Sequence, residues 1–169
     1  KDEIEPLVGI IDDETPELDA PYGISLTRFG RIHRFPLSSF SEMSQKGGRR
    51  YMTLDSKDEV VACYGAKGDE SVALASRKGR AMIFSIHDIP LRHKSSKGCI
   101  AIKLLQGDLI IGYVLTDHPL LGLTVKTGSG REKLIRESHN STSKLKKTRR
   151  GGRGYELIRR GLFEKWDRP

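Results

Sequence analysis

A plan of about fifty residues occurs three times in this 169-residue chain. The segments are "YGISLTRFGRIHRFPLSSF", "SVALASRKGRAMIFSIHDI" and "GLTVKTGSGREKLIRESHN". Each reads as a short apolar strand, a turn carrying Gly-Arg, and a second strand. The turn pairs are Gly30-Arg31, Gly79-Arg80 and Gly130-Arg131, with glycine spacings of 49 and 51. After each hairpin comes a basic glycine segment, "QKGGRRYMTL", "SSKGCIAIKL" and "RRGGRGYELI", which places Gly48, Gly98 and Gly154 in corresponding positions. An acidic turn and an apolar strand follow in the first two copies, "KDEVVACYG" and "QGDLIIGYVL". The start of the chain has a matching strand, "EPLVGIIDD", so the array begins one strand out of phase.

Only a few architectures accept such a pattern. No window of twelve or more residues keeps a 3.6-residue apolar period, apart from "YELIRRGLFEKW" at the C-terminus. By analogy with the earlier copies, Tyr155 to Ile158 is expected to be strand. Four short strands in about fifty residues predict a propeller-like blade, and a blade buries its faces only against neighbours. The expected fold is all-β, a propeller-like array of about three four-stranded blades, compatible with an open or partial disc. Residues 1–20 form an acidic leader holding the first strand of the array. Residues 21–169 hold the repeats, at about 21–65, 66–116 and 117–163. The polar loop from Glu137 to Arg150 is expected to be disordered.

Charge is placed unevenly. Residues 1–20 carry one lysine and eight acids, whereas the remaining residues carry 29 basic and 14 acidic side chains, a net +15. Residues 141–160 alone hold eight basic residues and one acid. A basic body of this kind suits a polyanion. The alternative is a propeller-like protein-interaction module with an acidic partner; an RNA-binding module is a weaker third reading.

Several chemistries lack their residues. No apolar run approaches the roughly 18 residues of a membrane helix, and no secretory signal is visible. A first residue of lysine reads as an excised or processed domain. Cys63 and Cys99 stand far apart in apolar strands and are expected to be inert core residues in a reducing cytosol. The five histidines, at 33, 87, 93, 118 and 139, form no metal-ligand spacing. "TGSGREK" lacks the order of a phosphate loop and reads as a hairpin turn. No nucleophile, base and orienting group can be paired, so the chain is expected to be a binding module without catalysis.

The combination of "strand–KGR–strand–basic Gly loop–GD–strand" over residues 5 to 162 resembles the C-terminal domain of bacterial type IIA topoisomerase A subunits, those of gyrase and topoisomerase IV. The resemblance implies a β-pinwheel whose blades exchange strands, with double-stranded DNA bent around a basic rim. It implies a parent that is an ATP-dependent topoisomerase using Mg²⁺, while this domain needs no cofactor. It also implies, as partners, a breakage-reunion domain on the same polypeptide and an ATPase B subunit, in the bacterial cytoplasm at the nucleoid. The family usually has five or six blades and, in gyrase, a box Q-R-R-G-G-K-G in the first. Here Thr148 to Gly154 matches five of seven positions, in the last repeat, and Gln45 to Arg49 is a degenerate copy.

Adjacent glycines let a backbone approach a phosphate, and arginines present forked donors to it. The candidate DNA contacts are therefore Arg149, Arg150, Gly151, Gly152, Arg153 and Gly154, with Lys144, Lys146 and Lys147 upstream. The hairpins add Arg31, Arg34, Arg77, Lys78, Arg80 and Arg131. The earlier basic segments add Lys46, Arg49, Arg50 and Lys97. Arg50-Tyr51 mimics a DNA-cleaving Arg-Tyr pair, but in the family that tyrosine belongs to another domain, and Tyr51 is expected to be a strand residue.

Overall fold

The computed structural model describes residues 20–44, 47–138 and 145–167. Residues 1–19 of the leader, Lys46 and Lys144 lie outside the described residues.

Three antiparallel sheets account for the described strands. The first is built on β1 (Tyr22–Thr27), β2 (Arg31–Pro36) and β3 (Val60–Ala66). The second is built on β4 (Ser71–Ser76) and β5 (Arg80–Ser85). A two-residue strand β6 (Cys99–Ile100) crosses back to the first sheet, and β7 (Ile110–Thr116) joins the second. The third holds β8 (Leu123–Thr127) and β9 (Glu132–Ile135). The chain then returns β10 (Tyr155–Glu156) to the second sheet and ends in β11 (Phe163–Trp166) on the third. The orders are β3-β1-β2-β6, β10-β5-β4-β7 and β11-β8-β9. Each of the first two blades is thus completed by a strand from the following repeat. The third has three strands rather than the four expected, because no described segment pairs with the outer edge of β9.

The repeated turn sequence explains the repeated hairpin. All three read Ser/Thr-x-x-Gly-Arg. The glycine sits at φ +79, +82 and +79 at Gly30, Gly79 and Gly130, a region that other residues enter at a cost. The hydroxyl at the turn's start accepts from the arginine N–H, at 3.2 Å for Thr27, 3.3 Å for Ser76 and 3.2 Å for Thr127. The acidic turns lock the hairpins from outside. Asp58 accepts from Phe29 N–H at 3.0 Å, and Asp108 accepts from Lys78 N–H at 2.9 Å and the Ser76 hydroxyl at 2.6 Å.

β4 lies at the centre and is buried along its whole length. Alternation sends Val72 and Leu74 toward the first sheet, where they pack with Tyr22, Ile24, Leu26, Phe84 and Tyr113. Ala73 and Ala75 face the third sheet with Ile83, Leu123, Val125 and Phe163. The Tyr113 hydroxyl donates to the Ile24 carbonyl, tying β7 to β1 across the first interface.

Several expectations change. Strand ends at Glu156 rather than Ile158, because Leu157 N–H turns to the Gly79 carbonyl at 2.8 Å. Tyr51 is not in a strand. It precedes an isolated bridge between Met52 and Ser96, and its ring stacks on Phe35 at 5.1 Å. Cys63 is exposed on β3 rather than in the core, whereas Cys99 is half-buried on β6 and packs at the margin of the first core cluster; desolvation pushes both thiols above their ordinary value.

Candidate nucleic-acid interface

The box-like segment is docked, which overturns the expectation of a loose arm for residues 145–150. Thr148 N–H donates to the Ile83 carbonyl at 2.8 Å, and Gly151 N–H to the Ala101 carbonyl at 2.6 Å. In return Lys103 N–H donates to the Gly152 carbonyl at 2.7 Å. The segment therefore straddles the junction between the first two blades, touching β5 on one side and the stretch after β6 on the other.

Two arginines expected on the rim build this mount instead. The Arg150 guanidinium donates to the carbonyls of Asp88 at 2.6 Å and Ile100 at 3.1 Å. Arg80 reaches from its hairpin to the carbonyls of Arg153 at 3.0 Å and Gly154 at 3.3 Å. The glycines serve the docking as well. A Cβ on Gly154, at φ +67, would stand 2.6 Å from the Ala81 carbonyl oxygen, and one on Gly152 would stand 3.2 Å from Met82 Cε. Gly151 spends its N–H inside the protein, so that group is not the phosphate donor expected of a paired glycine.

The outward cations of this region are Arg149 and Arg153, with Lys146 and Lys147 just upstream, all exposed. Lys103 joins them, exposed and adjacent to Gly152. Sequence reasoning missed Lys103; its only signal was a charge interrupting the apolar run "CIAIKLL". Arg77, Lys78 and Arg131 are exposed at the hairpin turns, and Arg31 is half-buried there. Lys78 Nζ also caps the Gln106 carbonyl at 2.5 Å. Lys97 is paired with Asp55, whose carboxyl this ammonium holds below its usual range. Arg49 and Arg50 are exposed on the first repeat, with Arg49 donating to the Ser39 carbonyl at 2.6 Å. The structure does not bring that pair to the box.

Arg34 has to be withdrawn from the rim. It is 2% exposed, with its guanidinium 4.5 Å from the Tyr22 ring centre and a bond to the Ile86 carbonyl at 3.2 Å. Its place on β2, two residues from Ile32, puts it on the inward face. Desolvation raises the Tyr51 phenol, which opposes nucleophilic use. Among the described residues no group of His, Cys, Asp or Glu side chains could hold a metal ion, and no helix is long and apolar enough to cross a membrane.

A family model described as "DNA gyrase C-terminal domain, beta-propeller" matches residues 24–64 and 70–115, more than half of the chain. The chain belongs to this family. The matched blocks are the first two repeats, whose acidic turns carry Asp58 and Asp108; the third repeat, which has neither, lies beyond them. Among similar proteins, the DNA gyrase A protein of Borreliella burgdorferi is 29% identical over 138 residues, which is 81% of this chain and 16% of that one. The Helicobacter pylori gyrase A protein is 29% identical over 132 residues, 76% of this chain and 15% of that one. The chain therefore spans about a sixth of the length of these relatives. A solved C-terminal domain of DNA topoisomerase IV superposes with a TM-score of 0.75 at 19% identity, over 89% of this chain and 46% of that one. A solved DNA gyrase A C-terminal domain gives 0.67 at 27% identity, over 88% and 49%. These neighbours carry the β-pinwheel fold of the family.

Proposed function

We propose that this chain is a DNA-binding and DNA-bending accessory domain of a type IIA topoisomerase A subunit. One observation carries the reading: a rigidly mounted box across a blade junction, with Arg149, Arg153 and Lys103 turned outward. A path held at such points follows the curve of the array, and the charges meet phosphates rather than bases. Bending a segment of 20–30 base pairs costs on the order of 1–6 kcal/mol, which several such contacts offset. Cleavage and ATP hydrolysis would belong to the parent's breakage-reunion domain and its ATPase partner, where ATP and Mg²⁺ act. This chain would contribute shape and charge alone, in the bacterial cytoplasm.

The test is a binding titration on duplex DNA of several sequences across a salt series, beside end-to-end FRET. Each phosphate contact should add about −0.9 to the slope of log affinity against log salt. Affinity should vary little with sequence, and FRET should rise on binding. Salt-insensitive affinity, strong preference for one sequence, or tighter binding to an acidic protein than to DNA would refute the reading.

A further inference from the structure

The junction between the first and second blades and the junction between the second and third are built from corresponding positions, yet they are filled differently. The strand pairings align them. Tyr22 pairs with Ala66 as Ser71 pairs with Thr116, and Ile24 pairs with Arg34 as Ala73 pairs with Ile83. These positions lie at the strand ends remote from the Gly-Arg turns. At the first junction the space is full. The Arg34 guanidinium lies 4.5 Å from the Tyr22 ring centre, donates to the Ile86 carbonyl at 3.2 Å and is sealed in at 2% exposure. Leu91 bridges to Arg34 and packs on the same core.

At the second junction each of these residues gives way to a smaller or more polar one. Ser71 stands for Tyr22, Ala73 for Ile24 and Ile83 for Arg34. Arg92 N–H donates to the Arg34 carbonyl as Thr148 N–H donates to that of Ile83, so Lys147 stands for Leu91. Val72 pairs with Phe84 as Leu123 pairs with Ile135, so Glu137 stands for Ile86. Among the described residues the outcome is a cavity of about 230 Å³. Ser71, Ala73 and Ile83 are its buried wall, and Leu121, 58% exposed, also lines it. Three carboxylates, those of Asp69, Asp117 and Glu137, face two cations, Arg136 and Lys147. Arg136 is turned to the Leu120 carbonyl at 3.5 Å, and the His118 ring, also on the lining, accepts from Leu120 N–H at 3.2 Å.

We propose that this cavity binds an alkyl guanidinium, the chemistry of an arginine side chain. The first junction is the template: it seats a guanidinium of the chain itself against a carbonyl. The second keeps the seat, has isoleucine where that arginine would start, and puts the Glu137 carboxylate at the acceptor position. A carboxylate accepts both prongs of a guanidinium, a charge-assisted pair that a carbonyl does not match. Ile83 and Leu121 offer apolar surface to the stem. The volume suits a group of side-chain size and is below that of drug-sized ligand sites. Such a group comes as a small molecule or on a partner's arginine, and both present the same head and stem.

Amide NMR shifts of the whole chain, read at Ala73, Ile83 and Thr116 during titration with butylguanidinium, test this, with butylammonium and butyrate as comparators. Butylguanidinium should bind with a Kd of about 1 mM. Butylammonium should bind about three- to tenfold more weakly, and butyrate should leave these amides unmoved. Glu137→Gln should weaken butylguanidinium about tenfold. Ser71→Tyr with Ile83→Arg, which copies the first junction, should abolish binding, thermal melts confirming that each variant is folded; should the double exchange not fold, Glu137→Gln alone decides. Agmatine against a capped Gly-Arg-Gly peptide separates the two sources, the tighter binder naming it. The proposal is overturned by unmoved amides at about 20 mM butylguanidinium, well above the expected Kd. It is equally overturned if butyrate moves the same amides as far, or if Glu137→Gln binds like the wild type.

Discussion

Arg150 and its neighbours Arg149 and Arg153 carry the same charge within five residues, yet the structure assigns them opposite work. Arg150→Ala removes two charge-assisted bonds, at 2.6 and 3.1 Å, and leaves the carbonyls of Asp88 and Ile100 without that partner. Bonds to a charged group are worth about 1.5–3 kcal/mol each when buried. Arg150 is only half-buried, and one bond lies near solvent, so about 2 kcal/mol in total is the reasonable expectation. For a chain of this size that lowers the melting temperature by about 4–8 °C. Among the described residues Arg149 and Arg153 make no comparable side-chain bond, so Arg149→Ala and Arg153→Ala should stay within about 0.5 kcal/mol of the wild type. On DNA the order inverts for electrostatics. Each of the two exposed arginines should reduce the salt slope by about 0.9, and the pair should reduce bending at equal occupancy. Calorimetric or fluorescence melts beside salt titrations and FRET separate the two effects. If Arg150→Ala melts like the wild type while losing one phosphate's share of the slope, the docking bonds assigned to Arg150 are wrong and it belongs on the rim.

Three other outcomes follow from the geometry. Gly79→Ala should cost more than Gly130→Ala in melts: both pay about 1–2 kcal/mol for the left-handed backbone, but only the first meets Ile158, 2.1 Å from the new Cβ. Asp108→Ala should destabilise by about 2–4 kcal/mol, since the carboxylate is 4% exposed and serves Ser76 and the N–H groups of Lys78 and Leu109. Burial, with Arg92 nearby, holds His33 below its ordinary value, so its neutral form stabilises the fold above about pH 6.5 and that share is lost as pH falls toward the lower folded value; chemical denaturation at pH 7.5 and 5.5 should show the loss, and His33→Gln should flatten it.

The hairpins were legible because one local sequence does two jobs: its glycine supplies the left-handed turn and its hydroxyl caps the arginine N–H. The burial of Arg34 was not legible: β2 is buried on both faces from Ile32 to Pro36, so no alternation marks it, and its contacts with Tyr22 and Ile86 are set by packing. β6 and β10 were harder to bound. Two residues carry no periodicity, and their extent is decided by β2 and β5, far away in the chain. No local signal distinguishes Arg150 from Arg149, because the carbonyls that capture it come from residues 88 and 100. For Lys103 the interrupted apolar run was a faint signal, but its place beside the box is made by a backbone bond to Gly152.

The strand crossings have a consequence for synthesis. The first blade closes only when Cys99 meets Ile32, 67 residues earlier, and the second only when Tyr155 meets Ala81, 74 residues earlier. A repeat emerging from the ribosome therefore waits, incomplete, until its successor has been made. Loops of that span are slow to close, so the array should fold late and as one cooperative body. Blade by blade assembly is not open to it, and loosening the second or third repeat removes a strand from the one before.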